Sequence, residues 1–298
     1  MTLALRTSTR SRRRGVVGFL YTLPALVLVT VFFLVPLALL IWMSLHRWPL
    51  LGKPIWVGLA NYLAIGGDGT FGQSLLFTAV YTVIITPILF LLGFGLAMLV
   101  KEQRRGAGVF RTVYFMPYVI GFASSAYLWL WLIDPSVGPI DKLLTDLGIT
   151  GQPFGWTDTP TGALFAVIMS VVWKVVGFTM LLLMSGMQSV PGDVQEAAKV
   201  DGAGRFASLW HVMLPLLRRN IALVLVFSVV GSMLAFEQFY ILTAGGPGNR
   251  TLTIVYWIYN SSFANFQLGY GAAMSVVLLV MLMLISGVQL YLLRDRSE

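Results

Sequence analysis

Gln73–Val100 reads QSLLFTAVYTVIITPILFLLGFGLAMLV, 28 positions without one charged side chain. An α-helix rises about 1.5 Å per residue and the hydrocarbon core of a bilayer is about 30 Å thick, so about 20 apolar residues cross it. This run is long enough. It is far too long for the strands of an outer-membrane barrel, which alternate in segments of about 10 residues. Working outward, comparable runs fall at 16–43, 112–133, 162–188, 221–243 and 270–293. Inside all six, the only charges are Lys174 and Glu237. Of the 298 residues, 57% are hydrophobic and 11% charged, against about 45–50% and about 25% in soluble domains. A soluble enzyme, a disordered chain and a coiled coil are excluded. The expected fold is all-α integral membrane: six transmembrane helices in a single domain over residues 1–298.

An even number of spans puts both termini on one side. Of the 20 Lys and Arg, fifteen fall on the N-terminus, 101–111, 189–220 and the C-terminal tail. The alternate side holds four: Arg47, Lys53, Lys142 and Arg250. The positive-inside rule then gives N-in, C-in. The net charge of +8 reads as orientation and needs no nucleic-acid partner. The first apolar run is too long for a cleaved signal, and no small-residue cleavage site follows it. It reads as a retained helix kinked at Pro24 and Pro36. The absence of cysteine excludes disulfides and thiolate metal sites. His46 and His211 are too far apart in sequence to form a spaced metal motif.

Between the spans, Ile140, Leu143, Leu144 and Leu147 recur at helical spacing and predict a small amphipathic helix on the outer surface. Leu252–Tyr259 is apolar but too short to span, and reads as an interfacial or docking element. Trp48, Trp56, Tyr62, Trp156 and Trp257 near span ends suit an aromatic belt. Gly93 and Gly95 suit close helix packing.

The connection 189–219 has structure of its own. Pro191 and Asp193 suit a helix first turn, Val194–Val200 reads as a short helix, and Gly202 permits a sharp turn. Phe206, Leu209, Trp210 and Met213 then fall at i, i+3, i+4 and i+7, the apolar stripe of a second helix that Pro215 ends. Spacing alone leaves two readings open: a pair projecting to dock a cytoplasmic partner, or a pair lying flat on the membrane.

This segment, Glu196-Ala197-Ala198, then Gly202, then Val212-x-Leu214-Pro215, resembles the EAA loop of binding-protein-dependent ABC importer permeases, with Val212 where isoleucine is usual. Further stretches carry the resemblance: Val57-Gly58-Leu59-Ala60-Asn61-Tyr62, Arg111–Tyr118, Gln188–Pro191, and Thr243-Ala244-Gly245-Gly246-Pro247 followed by Thr251. They are similar to the carbohydrate branch, of the six-span sugar or glycerol-phosphate type. The resemblance implies a cytoplasmic EAA coupling helix pair between the fourth and fifth spans. It implies a second homologous permease subunit, typically in a heterodimer, two ATP-binding-cassette ATPase subunits, and an extracytoplasmic solute-binding protein. It implies residence in the cytoplasmic membrane of a bacterium or archaeon. ATP and Mg would be used by the ATPases, with no cofactor or metal bound by this chain. Glu196, Ala197, Ala198, Asp201, Gly202, Arg205, Phe206, Leu214 and Pro215 would couple to the ATPase. Part of the apolar stripe would meet that partner and part the chain's own helices. No G-x-x-x-x-G-K-[ST] loop is present, and no catalytic residues are assigned.

A charge at mid-bilayer costs at least about 2.5–3.5 kcal/mol, so it faces a partner or a cavity. Lys174 and Glu237 differ in depth by about 10 Å at about 1.5 Å per residue. They read either as a structural pair, or separately satisfied, or as lining a translocation path. Candidates for that path, by depth and family position, are Ser125, Tyr127, Lys174, Phe178, Ser232, Glu237 and Gln238. The competing functional class is a self-sufficient ion-coupled transporter with Lys174 and Glu237 as coupling charges, which gives the EAA loop no purpose. An intramembrane enzyme lacks a catalytic motif.

Overall fold

The computed structural model describes residues 8–49, 51–101, 106–150, 152 and 154–293. Arg6, Arg104, Arg105, Arg294 and Arg296, which enter the orientation argument, lie outside the described residues. The chain resolves into two compact units, Met1–Gly66 with Ser261–Val277, and Gly67–Asn260 with Leu278–Glu298.

In the first unit, α1 (Ser8–Val29) runs through a π-turn at Thr30–Leu34 into α2 (Val35–Ser44). Phe19–Ser44 is apolar enough to cross a bilayer. Pro36 lies in the first turn of α2. Its missing N–H falls just after the π-turn, which absorbs the lost ladder bond. A short antiparallel pair follows, β1 (His46–Arg47) and β2 (Ile55–Trp56), with His46 opposite Trp56. In α3 (Ala60–Gly67), Asn61 Nδ2 donates to the carbonyls of Ser44 (2.8 Å) and His46 (3.0 Å). Tyr62 Oη lies 2.6 Å from Ser44 Oγ. These bonds close the C-terminal end of α2, where carbonyls lack helical partners.

The second unit is built on α4 (Gly69–Val100), whose first amides are capped by Asp68. Its last carbonyl, Val100, accepts from Arg111 Nη2 at 2.6 Å. Next come α5 (Ala107–Val119) and α6 (Phe122–Leu132), which meet at 98°. The sequence predicts one continuous helix over 112–133, and the structure breaks it. Ile120 and Gly121 are extended, with ψ of 136° and 148°. Pro117 weakens the ladder there, and Gly121 is a poor helix former. The predicted surface helix appears as α7 (Pro139–Asp146). The long α8 (Pro160–Gln188) packs against α4 and α5.

After α8 the chain forms α9 (Gly192–Val200), α10 (Arg205–Ser208), a π-turn at Leu209–Met213 and α11 (Leu214–Leu216). Phe206–Leu216 then bends by 72° into α12 (Arg218–Met233). The predicted span 221–243 is also not continuous. The helix stops at Met233 and resumes at Glu237. Thr253 Oγ1 donates to the freed carbonyl of Ala235 at 2.8 Å. The 252–259 stretch forms α13 (Ile254–Tyr259), which packs one face inward, with Leu252 and Ile254 buried. The Ile254 amide donates to Thr78 Oγ1 of α4. The last helix, α14 (Leu268–Leu292), begins in the first unit and ends in the second.

Among the described residues, four helices are long and apolar enough to cross a membrane, or up to six spans if each bent pair is one. The glycine reading holds for one of its two positions. A methyl on Gly93 would sit 2.5 Å from Thr179 Cγ2, whereas Gly95 faces open space.

Candidate functional site

Backbone cannot be left irregular in hydrocarbon unless its polar groups find partners or line a cavity. Both broken spans meet that condition. At the first break, Lys174 of α8 donates through Nζ to the carbonyls of Pro117 (3.5 Å), Tyr118 (3.3 Å) and Ile120. Its ammonium also lies 4.4 Å from the centre of the Phe122 ring, within cation–π range. A lysine at a helix C-terminus further opposes the negative end of the helix dipole. At the second break, Thr253 holds Ala235 and Ser232 Oγ donates to Thr82 Oγ1 at 3.0 Å.

A cavity of about 400 Å³ lies between the breaks. Tyr118 and Phe122, which flank the first break, line it, as do Leu234, Ala235, Glu237 and Gln238 of the second. Tyr118 and Phe178 stack with ring centroids 4.4 Å apart and planes 5° from parallel. Phe227 closes edge-on against Phe178. Glu237 is half-buried, and Gln238 is 3% exposed with an Nε2 that has no hydrogen-bond partner. The wall therefore combines apolar ring faces with a few polar groups, the usual make-up of a small-molecule site.

Of the sequence-predicted path residues, Phe178, Ser232, Glu237 and Gln238 come together around the cavity. The other three do not. Lys174 is buried against the first break, with no salt bridge to Glu237. Ser125 is buried and donates to the Phe122 carbonyl within α6. Tyr127 is exposed. Sequence reasoning missed Tyr81, Tyr118, Phe122 and Thr179, all in the lining. The pair Pro117 and Gly121 beside a charge-bearing span was the available signal for the first break.

The 189–219 segment forms the predicted helix–turn–helix. Gly202 has φ +77°, a conformation that costs a side-chain-bearing residue but not glycine. Glu196, Ala197, Asp201, Gly202, Phe206 and Pro215 are exposed, and Ala198 and Leu214 half-buried. The side chain of Arg205 lies outside the described residues. Met213 is buried and Leu209 partly so, against Ala97, Met180, Met184 and Leu217 of the chain's own bundle. Phe206 is 74% exposed and Trp210 56%.

Residues 89–298 match the family model of the binding-protein-dependent transport system inner membrane component. The chain belongs to this family. It is 32% identical to the trehalose/maltose transport system permease protein MalF of Thermococcus litoralis, over 98% of both chains. It is 30% identical to the sn-glycerol-3-phosphate transport system permease protein UgpA of Agrobacterium fabrum, over 94% of this chain and 96% of that one. In fold it is similar to a chain of a bacterial ABC transporter that imports the acidic polysaccharide alginate, with a TM-score of 0.83 at 20% identity, covering 97% of this chain and 99% of that one.

In this inner membrane component, the Thr243–Thr251 stretch is a closed turn. Thr251 Oγ1 lies 2.8 Å from Thr243 Oγ1 and 2.7 Å from the Gly246 carbonyl, within hydrogen-bond reach of both, and Thr251 is fully buried. Two hydroxyls thus pin the loop that follows the second break.

Proposed function

We propose that the chain is a membrane-spanning subunit of an ATP-driven ABC importer that moves a carbohydrate into the cytoplasm. The family match over 89–298, together with a relative at 32% identity over the whole chain, is the observation that carries this reading. In it, the four long helices and two bent pairs are six spans, N-in and C-in, in the cytoplasmic membrane of a bacterium or archaeon. The two compact units work as one permease domain. A second homologous permease completes the pore, most simply as a heterodimer, and two ATPase subunits sit below it. An extracytoplasmic binding protein delivers solute. The chain does no ATP chemistry itself; ATP and Mg belong to the ATPase subunits.

The pair α9–α10 is the coupling element in this reading. Glu196, Asp201, Gly202 and Arg205 meet an ATPase groove beside the exposed rings of Phe206 and Trp210. Closing of the ATPases on ATP pushes this pair, and through Leu209 and Met213 the push reaches the bundle. The cavity between the two breaks is the solute path on this side of the pore. Phe178, Ser232, Glu237 and Gln238 contact the solute, and Lys174 holds the wall rather than the cargo.

The test is purification of the tagged chain from native membranes in mild detergent, with copurifying proteins identified by mass spectrometry. The complex is then placed in proteoliposomes with its binding protein and a sugar panel. Recovery of ATPase and a second permease, with ATP-dependent uptake, supports the reading. Uptake by this chain alone on an ion gradient overturns it.

A further inference from the structure

Relatives of this chain carry names that include both neutral disaccharides and a phosphate ester, so likeness leaves the charge of the cargo open. The cavity speaks to it directly. Its only charged lining residue is Glu237. No salt bridge or hydrogen bond joins that carboxylate to another side chain among the described residues. The cation in this part of the fold, Lys174, is absent from the lining: its ammonium is committed to the carbonyls of Pro117, Tyr118 and Ile120. Among the described residues no arginine or lysine lines the cavity, so a phosphate, sulfonate or carboxylate entering it would meet a carboxylate.

The polar groups that do face the space suit hydroxyls. An ionised carboxylate only accepts hydrogen bonds, and an amide nitrogen only donates them. Gln238 belongs to the lining, but its Nε2 is closed off from the cavity, which leaves Glu237 as the group that meets a ligand hydroxyl. A hydroxyl group can donate to the Glu237 carboxylate. The stacked pair Tyr118 and Phe178 supplies apolar faces for a ring.

We propose that the solute passing this cavity is an uncharged saccharide, held by Glu237 through its hydroxyls, and that phosphorylated, sulfonated and uronate sugars are rejected there by Glu237. This rests on the carbohydrate-importer reading above, and it assigns Glu237 the choice between neutral and anionic cargo.

The test uses the whole complex purified from native membranes, with binding measured directly so that the binding protein's own preference does not enter. The probes are trehalose, maltose and lactose, each beside its monophosphate. The neutral member should bind at least about a hundredfold more tightly than its phosphate, as a like charge across a few Å in a partly buried site requires. Glu237→Gln should narrow that ratio to under about tenfold. Glu237→Asp, which keeps the charge, should preserve it. Equal binding of a sugar and its phosphate by the native complex overturns the inference. So does an unchanged ratio in an assembled Glu237→Gln complex. In either case, ATP-driven uptake of a neutral sugar in proteoliposomes would leave the importer reading standing. If no sugar of either charge is taken up, the importer reading fails and this inference with it.

Discussion

Lys174 Nζ donates to the carbonyl of Tyr118 across 3.3 Å, joining the middle of α8 to the end of α5. The two residues are 56 positions apart in sequence. The lysine is 1% exposed, and its direct partners are backbone carbonyls, while the Glu237 carboxylate acts on it electrostatically without a salt bridge. Tyr118 in turn stacks on Phe178, one turn further along α8. A single side chain thus fixes both the break in the third span and one wall of the cavity.

Lys174→Met keeps an unbranched side chain one atom shorter and removes the donor. It leaves the carbonyls of Pro117, Tyr118 and Ile120 without this partner, at a cost of about 1–3 kcal/mol. Loss of the buried charge's own desolvation penalty offsets part of that. A lowered midpoint of thermal unfolding in detergent is the expected result, together with faster amide exchange around Ile120. An unchanged midpoint and unchanged exchange would show that the break stands without the lysine.

Helix approach in the second unit rests on particular glycines. A methyl on Gly177 would lie 1.9 Å from the Tyr114 carbonyl oxygen, whereas one on Gly95 would meet nothing within 4 Å. Gly177→Ala therefore forces α5 and α8 apart, a cost of about 1–3 kcal/mol or more. Gly95→Ala should stabilise by about 0.5–1 kcal/mol, because alanine is the better helix former. Monodisperse yield on size exclusion and the unfolding midpoint should fall for the first and hold or rise for the second. Equal behaviour of the two variants would refute the packing assignment.

The six apolar runs were legible because bilayer thickness sets a length that composition alone reveals. The breaks were not. Ile120 and Gly121 lie in a run as apolar as any helix, and what stabilises their extended backbone is a lysine more than 50 residues away. The Leu234–Phe236 break is harder still. It has no proline, and its carbonyl is held by Thr253, in a segment whose apolarity reads as a surface patch. The path residues divide for the same reason. Depth along a span was readable, but the face each residue presents depends on where the helix bends, so Ser125 and Tyr127 turned away from the cavity. By contrast, the turn at Gly202 needed only local spacing and appears as predicted, whereas the helix after it passes through a π-turn at Leu209–Met213 and runs past Pro215 to Leu216.

The proposed coupling to an ATPase makes Glu196 a sharp test. It is exposed, so Glu196→Lys should leave stability within about ±0.5 kcal/mol, as for surface substitutions generally. Reversing its charge should nonetheless abolish ATP-driven uptake in proteoliposomes while the chain remains in the membrane. Normal uptake by that variant would remove Glu196 from the coupling element.

The apolar stripe after Gly202 supplies the last prediction, because the structure divides it. Met213 is 6% exposed and packs in the bundle with Ala97, Met180 and Met184, whereas Phe206 and Trp210 remain open to solvent with their rings 6.1 Å apart. Met213→Ala empties a packed site and should cost about 2–5 kcal/mol, read as a fall in the unfolding midpoint. Phe206→Ala with Trp210→Ala removes side chains that the chain itself scarcely covers, so the midpoint should hold. Large rings left open on a short helix pair are what a partner groove would bury, since aromatic anchors dominate interface energetics. The double variant should therefore lose the ATPase subunits during purification while the second permease is retained. Should the ATPases copurify undiminished, the exposed half of the stripe lies against lipid, and the coupling contact must be sought at Glu196 and Asp201 alone.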